Sequence, residues 1–338
     1  MKPHRLIPWL LLGAIATAHA QSPTYGARLE GFDYPHPVRH FDFSSQRQSL
    51  QMAYLDVAPA TPNGRTVVLL HGKNFCAATW ESAIAALSGA GYRVIAPDQI
   101  GFCKSGKPQR YQYTFGELAA NTHALLQSLG IETAVVVGHS MGGMLAARYA
   151  LQYPQATERL VLVNPIGLED WRAEGVPWRS VDAWYARELK TDADSIRQYQ
   201  REVYYGGRWE PEYDRWVEML AGMYAGPGKE AVAWSQALTS DMVFNQPVVH
   251  EFGRIAVPTA LLVGQQDRTA IGKDLASPEL AKRLGDYPTL GRRAAQSIPG
   301  AVLVEFADLG HSPQVEAPER FNAALLEALQ SRRDLPGD

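Results

Sequence analysis

The chain has 338 residues, 46% of them hydrophobic and 20% charged, with a formal net charge of −3. That length supports one large core or two modest ones. No low-complexity run or internal repeat is present, and charges of both signs are interspersed without the basic stripe that a nucleic-acid partner would demand.

Met1–Arg5 carries Lys2 and Arg5, Leu6–Thr17 is almost wholly apolar, and Ala18-His19-Ala20 puts small residues just before Gln21. This is the three-part pattern of a secretory signal peptide, with an apolar region too short to span a bilayer stably. Cleavage is expected after Ala20, giving a secreted or periplasmic protein without a membrane span; an uncleaved anchor is the alternative. Residues 1–20 are therefore set apart from the fold.

Val38–Phe43 and Leu50–Val57 alternate apolar and polar residues around the polar Ser44–Gln48, which predicts an antiparallel hairpin. The pattern then changes. Thr66–Leu70, Tyr92–Ala96, Ala134–Val137, Leu160–Val163, Ala260–Val263 and Ala301–Val304 are short, continuous, apolar runs. Such runs suit strands covered on both faces in a parallel sheet. Trp80–Ala90, Phe115–Leu129, Met141–Tyr153 and Pro318–Gln330 have helical spacing. Alternating strands and helices predict a doubly wound α/β sheet.

One interval breaks the rhythm. Residues 166–255 contain no convincing strand, but six tryptophans, with Gly206-Gly207 and Gly226-Pro227-Gly228 as breaks between helical stretches. This predicts an inserted helical cap, with residues 21–165 and 256–338 forming the two parts of the core. Most of the cap aromatics should form its own small core and a few should face the cleft.

Gly138-His139-Ser140-Met141-Gly142 follows the AVVV run and precedes a helical pattern. A G-x-S-x-G string alone is weak, but strand, sharp glycine turn and helix together describe a nucleophile elbow. Serine needs a base, and the base an orienting carboxylate. His311, in Leu309-Gly310-His311-Ser312-Pro313, is the one histidine beyond the last predicted strand, and Asp267 follows Ala260–Val263. Asp308 and the pair Glu169-Asp170 are rival acids. The three chosen residues each lie just past the C-terminal end of a different strand, where ligands collect in open α/β sheets. His139 and His71 read as structural. Oxyanion donors are expected from the backbone N–H of Met141 and from that of Lys73 or, second, Asn74.

Leu70-His71-Gly72, Trp80, Asp98–Phe102 with Ser105, Gly138–Gly142, Gly264–Asp267 and Gly310-His311 together resemble the α/β-hydrolase superfamily. The resemblance implies an eight-stranded, mostly parallel sheet, a helical cap after the sixth strand, and the Ser140–Asp267–His311 triad. The HGKNF loop and the long Arg268–Gly300 connection are similar to those of exported bacterial α/β-fold hydrolases. Ser140 speaks against the epoxide hydrolases and haloalkane dehalogenases, which carry Asp at the elbow. The common D-x-x-G-x-G-x-S turn has Cys103 in place of its second Gly, and Cys76 lies in the oxyanion loop. Because the two loops leave neighbouring strands, a Cys76–Cys103 disulfide is expected, with two unpaired thiols as the alternative.

The expected activity is hydrolysis of a carboxylic ester of a small, fairly apolar substrate through an acyl-enzyme on Ser140. Amide or lactone hydrolysis and carbon–carbon bond hydrolysis need the same triad; a non-catalytic binding protein is the reading from another class. An aminopeptidase would need cap carboxylates for a substrate ammonium, for which Glu169, Asp170, Glu202, Glu210 and Glu212 are available. No His/Cys cluster has metal-ligand spacing and no phosphate loop follows the first strand, so no cofactor and no metal are expected.

Overall fold

The computed structural model describes residues 23–330; the signal-peptide pattern at Met1–Ala20 lies outside them. β1 (Val38–Ser45) and β2 (Gln48–Val57) form the antiparallel hairpin. Its turn is only Gln46-Arg47, with φ of 49° and 61°. Two left-handed residues give a turn whose twist matches that of the flanking strands, so most of the polar Ser44–Gln48 stretch is strand.

The apolar runs become β3 (Thr66–Leu70), β4 (Arg93–Pro97), β5 (Ala134–His139), β6 (Thr157–Val163), β7 (Thr259–Gly264) and β8 (Val302–Phe306). They complete one eight-stranded sheet of order β1-β2-β4-β3-β5-β6-β7-β8, parallel from β4 to β8. The mostly parallel sheet expected from the sequence is present.

Helices α1 (Glu81–Gly89), α2 (Phe115–Ser128) and α3 (Met141–Gln152) follow β3, β4 and β5. Between β6 and β7 lie α4 (Val181–Glu188), α5 (Ala193–Tyr199), a π-helical turn (Gln200–Tyr204), α6 (Asp214–Ala225) and α7 (Lys229–Asn245). The connection from β7 to β8 carries α8 (Pro278–Arg283) and α9 (Tyr287–Ser297), and α10 (Pro313–Glu316) and α11 (Pro318–Gln330) are the last of the described elements.

Strand side chains alternate between two faces, and the core divides accordingly. Val67, Leu69, Val135 and Val137 belong to a cluster with Ile84 and Leu87 of α1 and Phe321 and Leu325 of α11. Val68, Leu70 and Val136 share the opposite cluster with Leu118 of α2 and Leu145 of α3, and this cluster continues into the helices that follow β6. The central strands β3 to β7 are thus buried on both faces for most of their length, which is why they read as unbroken apolar runs. By contrast, β8 at the edge leaves Val302 exposed. Among the described residues, no helix is long and apolar enough to cross a membrane.

Candidate active site

Ser140 is the single residue between β5 and α3, held at φ 57° and ψ −121°. Few non-glycine residues occupy that region, and the surrounding packing must enforce it. The elbow is tight enough that a Cβ on Gly142 would stand 2.2 Å from the Leu70 carbonyl oxygen, so glycine is required where α3 starts against β3.

The elbow, the loop after β7 and the loop after β8 converge. The Ser140 Oγ lies 2.9 Å from His311 Nε2, and His311 Nδ1 lies 2.6 Å from Asp267 Oδ2. All three side chains are buried; His311 and Asp267 have no exposure at all. In this arrangement Nδ1–H donates to the carboxylate, leaving Nε2 to accept the serine proton. Asp267 is held in turn: Asn164 Nδ2 donates to Oδ2 at 3.0 Å and the Thr269 N–H to Oδ1 at 2.8 Å. The Thr269 hydroxyl also stands 3.1 Å from His311 Nδ1. Asn164, at φ 36° just past β6, escaped the sequence reading; an Asn-Pro step closing a buried run was the available signal.

The neighbouring histidines brace backbone. His139 Nε2 donates to the His311 carbonyl (2.8 Å), and burial holds its imidazole well below the usual histidine range. His71 Nδ1 donates to the Gly72 carbonyl (2.8 Å), and its Nε2 accepts the Gln99 N–H (3.0 Å), tying the loops after β3 and β4 together. Burial lowers its pKa as well. Of the rival acids, Asp308 pairs with Arg320 on the surface, Asp170 with His250 and Arg172, and Glu169 accepts the Gly285 N–H.

Lys73 and Asn74 line the same cavity as Ser140, and Met141 opens α3 beside it with an N–H at the helix start. A helix N-terminus favours negative charge beside it. Lys73 Nζ pairs with Glu188 of α4 at 3.2 Å, and Asn74 Nδ2 donates to the Tyr204 hydroxyl at 2.9 Å. Both contacts join the loop after β3 to the helices that follow β6.

The cavity above Ser140 measures about 510 Å³. Ile166, Trp184, Ile196, Tyr199, Leu220 and Tyr224 form much of its wall. The carboxylate that reaches it from the helical insertion is Glu188, which is neutralised by Lys73 and accepts a hydrogen bond from the Tyr224 hydroxyl. Glu169, Asp170, Glu202, Glu210 and Glu212 do not line it. Other aromatics of the insertion pack on one another, as Tyr205 does on Tyr213 with ring centroids 4.0 Å apart.

The expected disulfide is corrected by the structure: Cys76 and Cys103 are both free and buried. They do meet, because β3 and β4 are neighbours, and their sulfur atoms with an Asp98 oxygen lie within 4.8 Å of one another. Each sulfur nonetheless has another partner. Cys103 Sγ donates to the Phe75 carbonyl at 3.4 Å, and Cys76 Sγ lies 3.0 Å from Met219 Sδ. Cys103 takes the left-handed φ of 42° that its glycine-like position demands. Cys76, Asp98 and Cys103 offer a metal-sized donor set, but Asp98 is already committed. Its Oδ1 accepts the Ala77 N–H, and its Oδ2 accepts the Tyr34 hydroxyl and the Lys104 N–H. The trio is thereby explained as a brace between two loops.

The family of the alpha/beta hydrolase fold matches residues 65–318. The chain is similar to a crystal structure of a probable hydrolytic enzyme from Pseudomonas aeruginosa PAO1, with 66% identity and a TM-score of 0.91, covering 92% of this chain and all of that one. It is 25% identical to AB hydrolase superfamily protein YisY of Bacillus subtilis over 78% of this chain and 91% of that protein. It is 26% identical to the 2-hydroxy-6-oxononadienedioate/2-hydroxy-6-oxononatrienedioate hydrolase of Comamonas testosteroni, over 79% of this chain and 88% of that protein. The eight-stranded sheet, the elbow and this match agree, and the chain belongs to the α/β-hydrolase fold family, as a hydrolase acting on a small molecule.

Proposed function

We propose that the protein is a serine hydrolase that cleaves a carboxylic ester of a small, fairly apolar substrate through an acyl-enzyme on Ser140. The observation that carries this reading is the unbroken chain Ser140 Oγ–His311–Asp267, at 2.9 and 2.6 Å, opening into a largely apolar cavity.

His311 Nε2 takes the hydroxyl proton as Ser140 Oγ attacks the ester carbonyl. Asp267 fixes the tautomer and stabilises the imidazolium, while the Met141 amide and that of Lys73 or Asn74 receive the oxyanion. The imidazolium then gives its proton to the departing alcohol. Water, activated by the same nitrogen, releases the acid and restores Ser140. Export of the mature chain, with cleavage after Ala20, belongs to the same proposal and is checked by sequencing the N-terminus of protein recovered from a cell envelope fraction.

Purified protein should release p-nitrophenol from short acyl esters and lose that activity in Ser140→Ala. Undiminished turnover by Ser140→Ala would sink the assignment. The Comamonas relative, named for hydrolysis of 2-hydroxy-6-oxo dienedioates, supports a second reading: carbon–carbon bond hydrolysis of a diketone by the same three residues. Parallel assays on an ester and on a vinylogous 1,5-diketone distinguish the two.

A further inference from the structure

Tyr204 concentrates several contacts between the helical insertion and the catalytic groups. Tyr204 ends the π-helical turn Gln200–Tyr204 and is 4% exposed. Its backbone carbonyl accepts the N–H of His311 at 2.8 Å. Its ring lies over the His311 imidazole, with centroids 4.3 Å apart and planes 28° from parallel. Its hydroxyl accepts the Asn74 side-chain N–H at 2.9 Å, and the ring also stacks on Phe75, 6.0 Å away. One residue therefore reaches the base by backbone and by ring, and the loop after β3 by its hydroxyl.

The contact is built into the local sequence. A Cβ on Gly310 would stand 1.8 Å from the Tyr204 carbonyl oxygen, so any side chain there would push the turn away from the residue before His311. π-turns are rare and their wide spacing re-aims backbone groups, often at functional sites. Here the turn ends with a carbonyl pointed at the loop after β8.

We infer that Tyr204 is a positioning residue for the reaction, setting the orientation of His311 and of the oxyanion loop together and so linking the helical insertion to catalysis. This rests on the reading of Ser140 and His311 given above. The tyrosine ring keeps water from one face of the imidazole and meets the charge that forms there with its π-cloud. The carbonyl fixes the His311 backbone, and the hydroxyl fixes Asn74. Tyr204 also lines the cavity beside Ser140, so the test of these three roles uses probes too small to need the rest of the wall.

The test compares wild type, Tyr204→Phe and Tyr204→Leu by three measurements: hydrolysis of p-nitrophenyl acetate across pH, the rate of Ser140 labelling by a small fluorophosphonate, and thermal denaturation. Acetate is too small to depend on the cavity wall. Tyr204→Leu should lower kcat and the labelling rate about tenfold or more, with the acid limb of the pH profile displaced by about half a unit or more. Tyr204→Phe keeps the ring and the carbonyl, so it should lose only about two- to fivefold in kcat, with the acid limb in place. Labelling at the wild-type rate in both variants, with an unmoved acid limb, overturns the inference, whatever happens to KM for longer esters. If Tyr204→Leu fails to fold, a wild-type kcat in Tyr204→Phe is enough to overturn the link to the oxyanion loop. A wild-type protein that neither labels nor hydrolyses the acetate overturns the Ser140 reading itself, and this inference with it.

Discussion

Both carboxylate oxygens of Glu316 lie 3.0 Å from the amide nitrogen of Gly310, the residue before His311. The Ser312 N–H, on the other side, reaches Oε1 at 3.1 Å. The two amides flanking His311 thus converge on one buried carboxylate, whose side chain is 2% exposed. Burial pushes this carboxyl up to about 7, against the pull of those two amides and of the Arg208 guanidinium 3.7 Å away. Asp267 also raises it, and the Glu316 charge in turn raises the Tyr205 and Tyr213 hydroxyls.

A folded value above the ordinary 4.5 means that the native state binds the extra proton between about pH 4.5 and 7. This group's contribution to stability is therefore full below that window and lost as pH rises through it. Ionisation has the opposite effect on the loop, because a carboxylate is the stronger acceptor for the two amides. Glu316→Gln should flatten the fall in Tm between pH 5 and 8 while lowering kcat severalfold at pH 8, since a neutral amide oxygen is a weaker acceptor for the two N–H groups than a carboxylate. Equal losses of Tm in the two proteins across that range would show that Glu316 does not titrate there.

Lys73 and Glu188 make a different kind of link, each only 13% exposed in its side chain and separated in sequence by β4, β5 and β6. Removing the ammonium strands a carboxylate beside the Tyr224 hydroxyl, and removing the carboxylate strands the ammonium. Each single alanine substitution should cost about 2 kcal/mol in denaturant unfolding, and the double substitution less than their sum, leaving a coupling of about 1–2 kcal/mol. Additive losses would mean that the pair is solvated. Lys73→Met with Glu188→Leu should recover much of the stability and turn the cavity toward longer, more apolar acyl chains.

Asp267 receives hydrogen bonds from Asn164 and the Thr269 amide as well as from His311. Asp267→Asn preserves the shape but favours the wrong imidazole tautomer. Where the acid acts as proposed, kcat for a p-nitrophenyl ester should fall about 10³- to 10⁴-fold with the fold intact. A loss under tenfold would move the orienting role to another group, for which the Thr269 hydroxyl, 3.1 Å from His311 Nδ1, is the available neighbour.

What could be read from the sequence follows from how each signal is encoded. Parallel strands buried on both faces leave uninterrupted runs such as Ala134–Val137, and the order Ser140, Asp267, His311 is a linear property of the chain. Glu188, Tyr204 and Glu316 left no such trace. Glu188 sits among charges spaced as on any solvated helix, and the role of Tyr204 depends on a π-turn whose hydrogen bonds no periodicity announces. Glu316 acts backward on Gly310, across a turn. The cysteines show the limit from the other side. Neighbouring strands, implied by the resemblance, brought the residues together, but whether two close, buried sulfurs bond is written in no pattern, and these two are free.

Those thiols give the last prediction. Burial raises the Cys103 thiol well above the ordinary range, so little thiolate exists at neutral pH, and both sulfurs are shielded from solvent. Thiolate and access together set the rate of disulfide exchange. The folded, non-reduced protein should therefore react negligibly with an aromatic disulfide reagent at pH 8, and release two equivalents of thiol once unfolded in guanidinium. Intact mass after alkylation in denaturant without reductant should show two adducts. One phase of fast reaction in the native state would mean that the loops after β3 and β4 open more readily than Asp98 permits. Its carboxylate binds the amides of Ala77 and Lys104 on those two loops at 2.8 and 3.0 Å. Asp98→Asn, which weakens both bonds, should then make the thiols reactive in the folded protein, and a variant as inert as wild type would assign the shielding to packing against Met219 instead.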